Sequence, residues 1–482
     1  MRSGVVAKTG GICLYESVAA DVARLIDQGA FLPGQRIPSV RALSRQLGVS
    51  IATVIEAYGL LEDRGCVEAR PQSGYYVRRR PQGRPGEPDI SAPAMSPTRV
   101  SVSDLVMMVL RDAGNPNLVP LGATIPGPEL LPTDRLNRVL AAVARRKGAL
   151  GSSYAMPPGC EALRVQLARR ALEAGCALVP DEIVTTNGCQ EAITLALQVT
   201  CQPGDTVAVE SPTYYNFLQA IEVLGLRALE IPTHPRDGLS LEALRYALDQ
   251  TPIAACLAIP NVNNPLGGCM PDERKRELVE LLAKRDVPLI EDDIHGELVF
   301  GDERPKVAKA FDRRGLVLLC SSVSKTLAPG YRVGWIAAGR FQGRVEHRKA
   351  VHNLASPTLP QLAVAEFLAN SGYDRHLRRL RKTAARQMGQ LAEAVVRHFP
   401  QGTRMTRPQG GLGLWVELPA GSDALVLYDR ALRAGITIAP GPLFSPKQRY
   451  RNFVRLNAGQ WSARTEAAVA VLGALAAELC PG

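Results

Sequence analysis

The sequence predicts an α/β protein with a small N-terminal helical unit and a large unit built on a mostly parallel sheet. Between residues 103 and 480, short β-branched runs alternate with longer helical patterns, which is typical of parallel strands covered by helices. Residues 12–78 instead carry three helical patterns and one hairpin pattern. Residues 79–102 are rich in Pro, Arg, Ser and Gly and predict a linker.

Composition narrows the class of protein. A chain of 482 residues is too long for one ordinary core, so at least two domains are expected. The net charge of +11 suits a polyanionic partner, although many basic proteins bind no nucleic acid. The ten cysteines form no CxxC pair, which indicates reduced thiols in a cytoplasmic protein and no metal site. No apolar run is long enough for a signal peptide or a membrane span.

The N-terminal unit is predicted to be a helix-turn-helix with a wing. Helices are expected over 15–34, 39–48 and 50–65, with Ser39 and Ser50 as N-caps and Gly48 ending the second helix. Only a few residues join the second helix to the third, as in a helix-turn-helix. The segments 66–70 and 75–79 read as a hairpin that would form the wing.

Cationic and hydroxyl side chains of this unit are candidates for DNA contact. Arg36, Arg41, Arg45 and the arginines at 78–80 could anchor phosphates, whereas Ser50 and Thr53, at the start of the third helix, could reach base edges. On the pattern alone, three helices and a hairpin with solvated charges remain an equal alternative.

The segment 32–77 resembles the winged helix-turn-helix of the GntR transcription-factor family. Its P-S-x-R-x-L segment, G-V-S-x-x-T-V helix start and G-x-Y wing tip all match that family. The resemblance implies double-stranded DNA as the partner, contacts at Arg41 and at the start of the third helix, and a wing tip that approaches the minor groove. The DNA-binding candidates are Arg36, Ser39, Arg41, Ser50, Thr53, Ser73 and Gly74.

Five predicted strands of the large unit end in reactive or polar residues, at 182–186, 206–210, 254–260, 287–292 and 317–320. Ligands of α/β sheets bind beyond the carboxyl ends of strands, so these ends predict one shared pocket. A glycine turn that opens a helix suits a phosphate, and a hydroxyl and a guanidinium could join it. These phosphate candidates are Gly188, Cys189, Gln190, Ser322 and Arg332.

Lys325 and Asp292 complete a chemical set. A lone lysine can form a Schiff base, and a buried acidic residue is costly unless it meets a cation. A ligand that carries a phosphate, a ring cation and an aldehyde is pyridoxal phosphate. An acidic side chain keeps its ring nitrogen protonated. Each residue taken alone has a plain alternative: Asp292 could cap a turn, Lys325 could be a surface lysine, and the segment 261–268 could be an ordinary turn.

The order and spacing of these motifs resemble the fold-type I (aspartate aminotransferase-like) enzymes across residues 115–475. The resemblance implies a pyridoxal-phosphate domain over 103–480 with a smaller C-terminal α/β subdomain. By the same resemblance, Lys325 in S-x-S-K-x-x-x-P-G-x-R is the Schiff-base lysine and Asp292 the pyridinium partner. The further roles it implies are the ring O3′ for Asn264, ring stacking for Tyr214, the phosphate of a second subunit for Tyr154, and a substrate carboxylate for Arg455.

With the winged helix in front, the whole chain resembles the MocR-type members of the GntR family. His295 stands where the fold-type I aminotransferases have a tyrosine that donates to O3′ of the cofactor ring. This departure puts efficient transamination in doubt. Leu266 replaces a common threonine in the turn, where a smaller effect is expected.

Three functions stay open from the sequence. The first is a homodimeric regulator that senses an amino acid, an amine or pyridoxal phosphate itself. The second is an active aminotransferase whose DNA-binding domain is secondary. The third is a nucleic-acid binder whose large domain is only a dimerisation scaffold.

Overall fold

The protein divides into two compact units, residues 1–84 and 85–482. The structure, a computed structural model, describes residues 14–27, 31, 34–63, 66–70, 73–77, 85–370 and 372–480. The predicted phosphate anchors at 78–80 and part of the predicted linker (79–84) lie outside the described residues.

The described residues of the small unit form three helices and a two-stranded antiparallel hairpin. Ser39 accepts the Ala42 N–H and Gly48 adopts a left-handed conformation with φ 65°, so both predicted ends of the second helix are confirmed. The bounds are α1 (Leu14–Asp27), α2 (Val40–Leu47), α3 (Ile51–Asp63), β1 (Val67–Arg70) and β2 (Gly74–Val77).

The inner face of α3 holds the small unit together. The predicted stripe of Val54, Ala57, Tyr58 and Leu61 is buried. The Tyr58 hydroxyl donates to the Pro38 carbonyl at 2.7 Å, and its ring meets the Tyr75 ring edge-on at 4.9 Å. This packing fixes α3 against the wing and leaves its opposite face to solvent.

The strands of the large unit form one large sheet and two smaller ones. In the large sheet the order is β3-β7-β6-β9-β10-β11-β12-β5, with β8 beside β7. A four-stranded sheet has the order β13-β14-β17-β16, and β15 pairs with β4. The strand bounds are β3 (Thr98–Arg99), β4 (Val119–Pro120), β5 (Val184–Asn187), β6 (Thr206–Ser211), β7 (Arg227–His234), β8 (Gly238–Leu239), β9 (Ala255–Ala258), β10 (Leu289–Asp292), β11 (Val317–Ser322), β12 (Val333–Ala337), β13 (Arg404–Met405), β14 (Gly413–Glu417), β15 (Ile436–Thr437), β16 (Ala439–Pro440) and β17 (Phe453–Asn457).

The direction of the strands places the site. Strands β7, β6, β9, β10 and β11 run parallel, and β12 runs antiparallel to both β11 and β5. Strand β5 therefore points the same way as β11, and the five strands predicted to end in reactive residues (β5, β6, β9, β10 and β11) share one sheet edge. The prediction of a mostly parallel central sheet is confirmed.

Helices cover the large sheet and the smaller C-terminal subdomain. Their bounds are α4 (Ser103–Ala113), α5 (Thr133–Arg146), α6 (Gly148–Gly151), α7 (Glu161–Glu173), α8 (Cys189–Thr200), α9 (Tyr215–Val223), α10 (Leu241–Gln250), α11 (Asp272–Lys284), α12 (Gln342–Asn353), α13 (Thr358–Ala369), α14 (Gly372–His398), α15 (Ala424–Arg433) and α16 (Ala463–Ala477). Helix α8 buries residues from Cys189 to Val199 in the main core, which anchors its N-terminus at the sheet edge.

Residues 85–102 differ from the predicted linker, because the structure builds them into the large unit. Strand β3 pairs with β7, and Val100 and Val102 are buried in the main core. The Met405 N–H donates to the Gly86 carbonyl at 3.1 Å, and the Ser91 hydroxyl donates to the Ser211 carbonyl at 2.7 Å. The Pro-rich composition of residues 85–102 predicted an extended chain. It did not predict the edge of the large sheet and the apolar surface against which these residues pack.

Candidate functional site

Two glycines bring the start of α8 and Arg332 together. Gly188 has φ 80°, and a Cβ there would meet Arg332 Nη2 at 2.2 Å. A Cβ on Gly334 would meet the Gly188 backbone at 2.5 Å. Arg332 donates to the Asn187 carbonyl at 3.1 Å and to the Pro329 carbonyl at 3.2 Å, which fixes its guanidinium beside the helix N-terminus. Helix N–H groups and a fixed guanidinium are groups that suit a phosphate.

The other phosphate candidates make contacts within the protein. Ser322 Oγ, at the end of β11, accepts the Ser324 N–H at 3.3 Å, and Gln190 donates to the Asn216 carbonyl at 3.3 Å. The Cys189 thiol is turned towards the Asp292 carboxylate, with Sγ 3.4 Å from Oδ1. Cys189 can therefore offer the anion its backbone N–H but not its thiol.

Asp292 ends β10 as a buried carboxylate without a cation. Its Oδ1 also accepts the Ile294 N–H at 2.9 Å, and no Lys, Arg or His of the described residues forms an ion pair with it. Burial raises the pKa of Asp292 to about 6. A buried carboxylate of this kind gains a partner when a ring N–H cation binds.

Lys325 lies three residues beyond the end of β11, on the turn that follows it. Its Nζ donates to the Thr124 carbonyl at 2.7 Å. Burial, and then the positive charge of Arg455, lower the pKa of Lys325 to about 8. A fraction of the lysine is then neutral near pH 7, and a neutral amine is the form that attacks an aldehyde.

Arg455 and Asn264 are joined on the other side of the site. Arg455 on β17 is fully buried, and its Nη1 donates to Asn264 Oδ1 at 2.9 Å while Nη2 donates to the Gly122 carbonyl at 2.8 Å. Its Nε has no hydrogen-bond partner, and no carboxylate among the described residues lies within ion-pair distance. The rings of Tyr215 and Phe444 flank the guanidinium at 5.4 and 5.0 Å.

His295 is buried and neutral. Burial, together with the charges of Lys325 and Arg455, lowers its pKa to about 3. Its Nδ1 has no hydrogen-bond partner among the residues that the structure describes. Because an unpaired buried ring nitrogen is unfavourable, His295 is poised to bond a bound ligand. It lines a cavity with Thr124 and Asn264.

The two predicted aromatic contacts have different surroundings. Tyr214 is half-buried at the start of α9, its hydroxyl accepts from Asn216 at 3.0 Å, and its ring packs on Tyr215 and Phe217. Tyr154 is 76% exposed and no contact places it in this chain's own site. A role on the phosphate of a second subunit remains a prediction.

These residues fit pyridoxal phosphate. The α8 N-terminus and Arg332 suit its phosphate, Asp292 its ring nitrogen, and Lys325 its aldehyde carbon. The unpaired Nδ1 of His295 and the buried carboxylate of Asp292, which forms no ion pair among the described residues, are polar groups that such a ring would satisfy.

Comparison with known proteins supports both halves of the chain. Residues 130–472 match the family described as aminotransferase class I and II, and residues 14–77 match bacterial regulatory proteins, gntR family. The chain belongs to the GntR family of transcriptional regulators. Its fusion to an aminotransferase class I and II domain is the MocR-type architecture.

Relatives of this MocR-type regulator include two proteins described as uncharacterized HTH-type transcriptional regulators of Escherichia coli K12. YdcR is 40% identical over 465 residues, which is 96% of this chain and 99% of YdcR. YjiR is 39% identical over 443 residues, which is 92% of this chain and 94% of YjiR.

Solved aminotransferases share the fold of the large unit. The kynurenine aminotransferase of Pyrococcus horikoshii superposes with a TM-score of 0.73 and 27% identity, covering 80% of this chain and 96% of that one. The α-aminoadipate aminotransferase LysN of Thermus thermophilus, complexed with a phosphopyridoxyl-leucine, gives a TM-score of 0.71 and 28% identity, covering 79% and 99%. Pyridoxal phosphate is therefore the cofactor that the regulator's domain implies.

The candidate DNA contacts of the MocR-type regulator lie on the small unit. Arg36, Arg41, Ser39 and Ser50 are exposed. Ser50 Oγ accepts the Thr53 N–H at 3.1 Å and lies 2.8 Å from Thr53 Oγ1, so the two predicted base readers bond to each other. At the wing, Ser73 Oγ lies 2.5 Å from the Tyr76 hydroxyl, and a Cβ on Gly74 would lie 3.1 Å from Arg36 Nε. Their contacts with DNA remain predictions.

Several residues of the site were missed from the sequence. The carbonyls of Thr124 and Gly122 receive Lys325 and Arg455, and no side-chain pattern marks a carbonyl acceptor. Glu191 on α8 accepts the Asn187 N–H and the Lys349 ammonium, each through Oε2, and so stabilises the turn that precedes α8. An acidic residue in the first turn of a helix was the available signal for Glu191.

No metal site or membrane segment emerges from the described residues. They contain no group of three His, Cys, Asp or Glu side chains that could hold a metal ion. Within the same part of the chain, no helix has both the length and the apolar character needed to cross a bilayer.

Proposed function

We propose that this MocR-type regulator senses a small amine that carries a carboxylate, most simply an amino acid, through pyridoxal phosphate in its aminotransferase-like domain. The effector's amine would take the place of Lys325 on the cofactor. The resulting change would alter DNA binding by the winged helix, in a homodimer that acts in the cytoplasm.

Arg455 is the observation that carries the proposal. A fully buried guanidinium without a counter-ion is unfavourable, and a ligand carboxylate would relieve it. The charge of Arg455 is also felt at Lys325, whose pKa it helps to lower. A ligand that presents an amine to the Lys325 end and a carboxylate to the Arg455 end therefore matches the site.

Each group in the site has a task in this proposal. Pyridoxal phosphate, when bound, supplies an aldehyde and an electron-withdrawing ring. Lys325 offers a neutral amine, Asp292 holds a proton on the ring nitrogen, and Arg332 with the α8 N-terminus holds the phosphate. His295, being neutral, bonds the ligand without adding positive charge beside Lys325.

Turnover as an aminotransferase is the second candidate. The lowered pKa of Lys325 favours it, because a lysine that is partly neutral at pH 7 can act as a general base. His295 in place of the usual tyrosine disfavours it. Release of a keto acid over many turnovers would show that the protein is an active aminotransferase. His295→Tyr should then raise the rate of transamination.

The regulator is tested by titrating DNA from the gene's own upstream region with the cofactor-loaded protein, with and without single amino acids. One amino acid should change the apparent affinity for DNA. The salt concentration is held fixed because non-specific binding depends strongly on salt. Lys325→Ala should bind DNA and ignore the amino acid. If no amino acid or amine alters DNA binding, the sensing role is wrong.

A further inference from the structure

The first two turns of α3 have an unusual side-chain chemistry for a helix that is predicted to enter DNA. Ile51 and Ile55 are 49% and 51% exposed, and neither belongs to the buried stripe of α3. Residues four apart lie side by side on a helix, so the two isoleucines form one apolar surface. Ala52 beside them is also exposed, and Glu56 is the one charged residue in the first two turns of α3.

Helix α3 lacks the side chains that read purines by paired hydrogen bonds. Arg and Lys read guanine, and Asn and Gln read adenine, in the major groove. None of these four types occurs between Ile51 and Asp63. The two hydroxyls at the start of the helix, Ser50 and Thr53, already bond to each other.

The cations that suit a DNA backbone lie on the preceding helix, α2. Arg41 and Arg45 are exposed one turn apart, and neither pairs with an acidic side chain among the described residues. In protein–DNA complexes, contacts with phosphates position the protein and contacts with base edges read the sequence. The arginines of α2 suit the first task, and the apolar surface of α3 suits the second. The apolar group that the major groove displays is the thymine 5-methyl.

We propose that Ile51 and Ile55 read thymine methyl groups, so that the operator half-site carries A·T pairs under the first two turns of α3. This inference rests on the proposed DNA-binding function but adds which bases are recognised and by which side chains.

Replacing thymine by deoxyuridine removes only the methyl group and tests the proposal directly. The upstream segment that the full-length, cofactor-loaded protein protects would be made as two synthetic duplexes, one with thymine and one with deoxyuridine within the half-sites. Both would be titrated at one salt concentration, with the wild type and with Ile51→Ser, Ile55→Ser and Leu25→Ser. Leu25 is a matched control, exposed at 43% on α1.

The wild type should bind the deoxyuridine duplex about fourfold more weakly for each contacted methyl, from the free energy of burying one such group. Ile51→Ser and Ile55→Ser should bind the thymine duplex more weakly and each lose part of the sensitivity to deoxyuridine. Leu25→Ser should behave as the wild type. Since both isoleucines are half-exposed, their replacement should leave helix content and melting unchanged.

Three outcomes would overturn the proposal. Equal affinity of the wild type for both duplexes excludes methyl reading. Full deoxyuridine sensitivity in both isoleucine variants assigns the effect to duplex shape. A lower oligomeric mass of the variants assigns the apolar face to contact between copies. A protein that protects no segment at all refutes the DNA-binding function as well, whereas the first three outcomes leave that function standing.

Discussion

Arg455 Nη1 donates to Asn264 Oδ1 at 2.9 Å, which joins the predicted carboxylate-binding residue to the residue predicted to meet the cofactor ring. The Nη2 atom is held by the Gly122 carbonyl, and Nε is the one guanidinium nitrogen without a partner. A ligand carboxylate can bond Nε and compete with Asn264 for Nη1. Binding of the carboxylate and the position of Asn264 at the ring are therefore coupled.

Arg455→Met should abolish the preference for carboxylate-bearing ligands. The change removes a charge-assisted hydrogen bond, so an amino acid should bind about 10- to 150-fold more weakly, from about 1.5–3 kcal/mol. The amine that lacks the carboxylate should be affected little. Both affinities are measured from the change in visible absorbance of the loaded protein.

Arg455→Lys is the matched control, since it keeps the charge and loses the planar fork. The affinity of Arg455→Lys for an amino acid should lie between those of the wild type and Arg455→Met. An unchanged ratio of amino-acid to amine affinity in Arg455→Met would show that the carboxylate binds elsewhere.

Capture of the cofactor should follow the titration of Lys325. With a pKa of about 8, roughly one lysine in ten is neutral at pH 7, far more than for an ordinary lysine. The rate constant for capture by the apoprotein should rise with pH to a midpoint near 8 and then level off. Stopped-flow absorbance after adding pyridoxal phosphate measures it.

Two variants should move this midpoint in opposite directions. Arg455→Met removes a positive charge that lowers the pKa of Lys325, so the midpoint should rise. Asp292→Asn removes a negative charge that raises it, so the midpoint should fall. A wild-type midpoint above pH 10 would mean that Lys325 is an ordinary exposed amine.

The sequence located the strand ends better than the contacts that surround them. Strand patterns and the parallel-sheet rule predicted that Asp292, Gly188 and Ser322 share one edge, because a strand's direction follows from topology. The backbone carbonyls that accept from Lys325 and Arg455 come from residues 122–124, about 200 and 330 positions away in the chain. No local pattern encodes such a pairing.

The side-chain directions were also beyond the sequence. Cys189 was assigned to the phosphate by its place at a helix start, but its thiol packs towards Asp292. Ser50 was predicted both to cap α3 and to reach base edges, and its hydroxyl does cap α3 while lying 2.8 Å from Thr53 Oγ1. The sequence placed both residues correctly at the start of a helix. The rotamer of Cys189 is set by a neighbour distant in sequence, and that of Ser50 by the cap.

Gly188→Ala should weaken cofactor binding at least about tenfold. The new Cβ would displace Arg332, whose Nη2 lies 2.2 Å from its position, and would strain a residue with φ 80°. Gly204→Ala is the matched control, because its φ of 93° imposes similar strain while nothing lies within 4 Å. Titration with pyridoxal phosphate gives both dissociation constants.

Both glycine variants should lose similar stability, about 1 kcal/mol or more from backbone strain. Only Gly188→Ala should lose phosphate affinity. Equal cofactor affinities in the two variants would place the phosphate away from the α8 N-terminus and Arg332.

Asp292→Asn should change how the stability of the apoprotein depends on pH. The folded-state pKa of about 6 lies above the ordinary 3.8, so the folded protein holds this proton more tightly than the unfolded chain does. The cost of ionising Asp292 is absent below about pH 4 and complete above about pH 6, where it reaches about 3 kcal/mol. The wild type should therefore lose stability as pH rises through this window.

Asn carries no charge, so Asp292→Asn should lack this part of the loss, while Glu210 and Glu291, whose pKa values burial raises to about 7, titrate in both proteins. Thermal unfolding of the two apoproteins at about pH 3.5 and about pH 7.5, on the two sides of this window, isolates the difference. The loaded proteins should show the reverse order, because the wild-type carboxylate then faces a ring cation that Asn cannot neutralise. If the apoproteins respond identically to pH and bind the cofactor equally well, Asp292 is not the partner of the ring nitrogen.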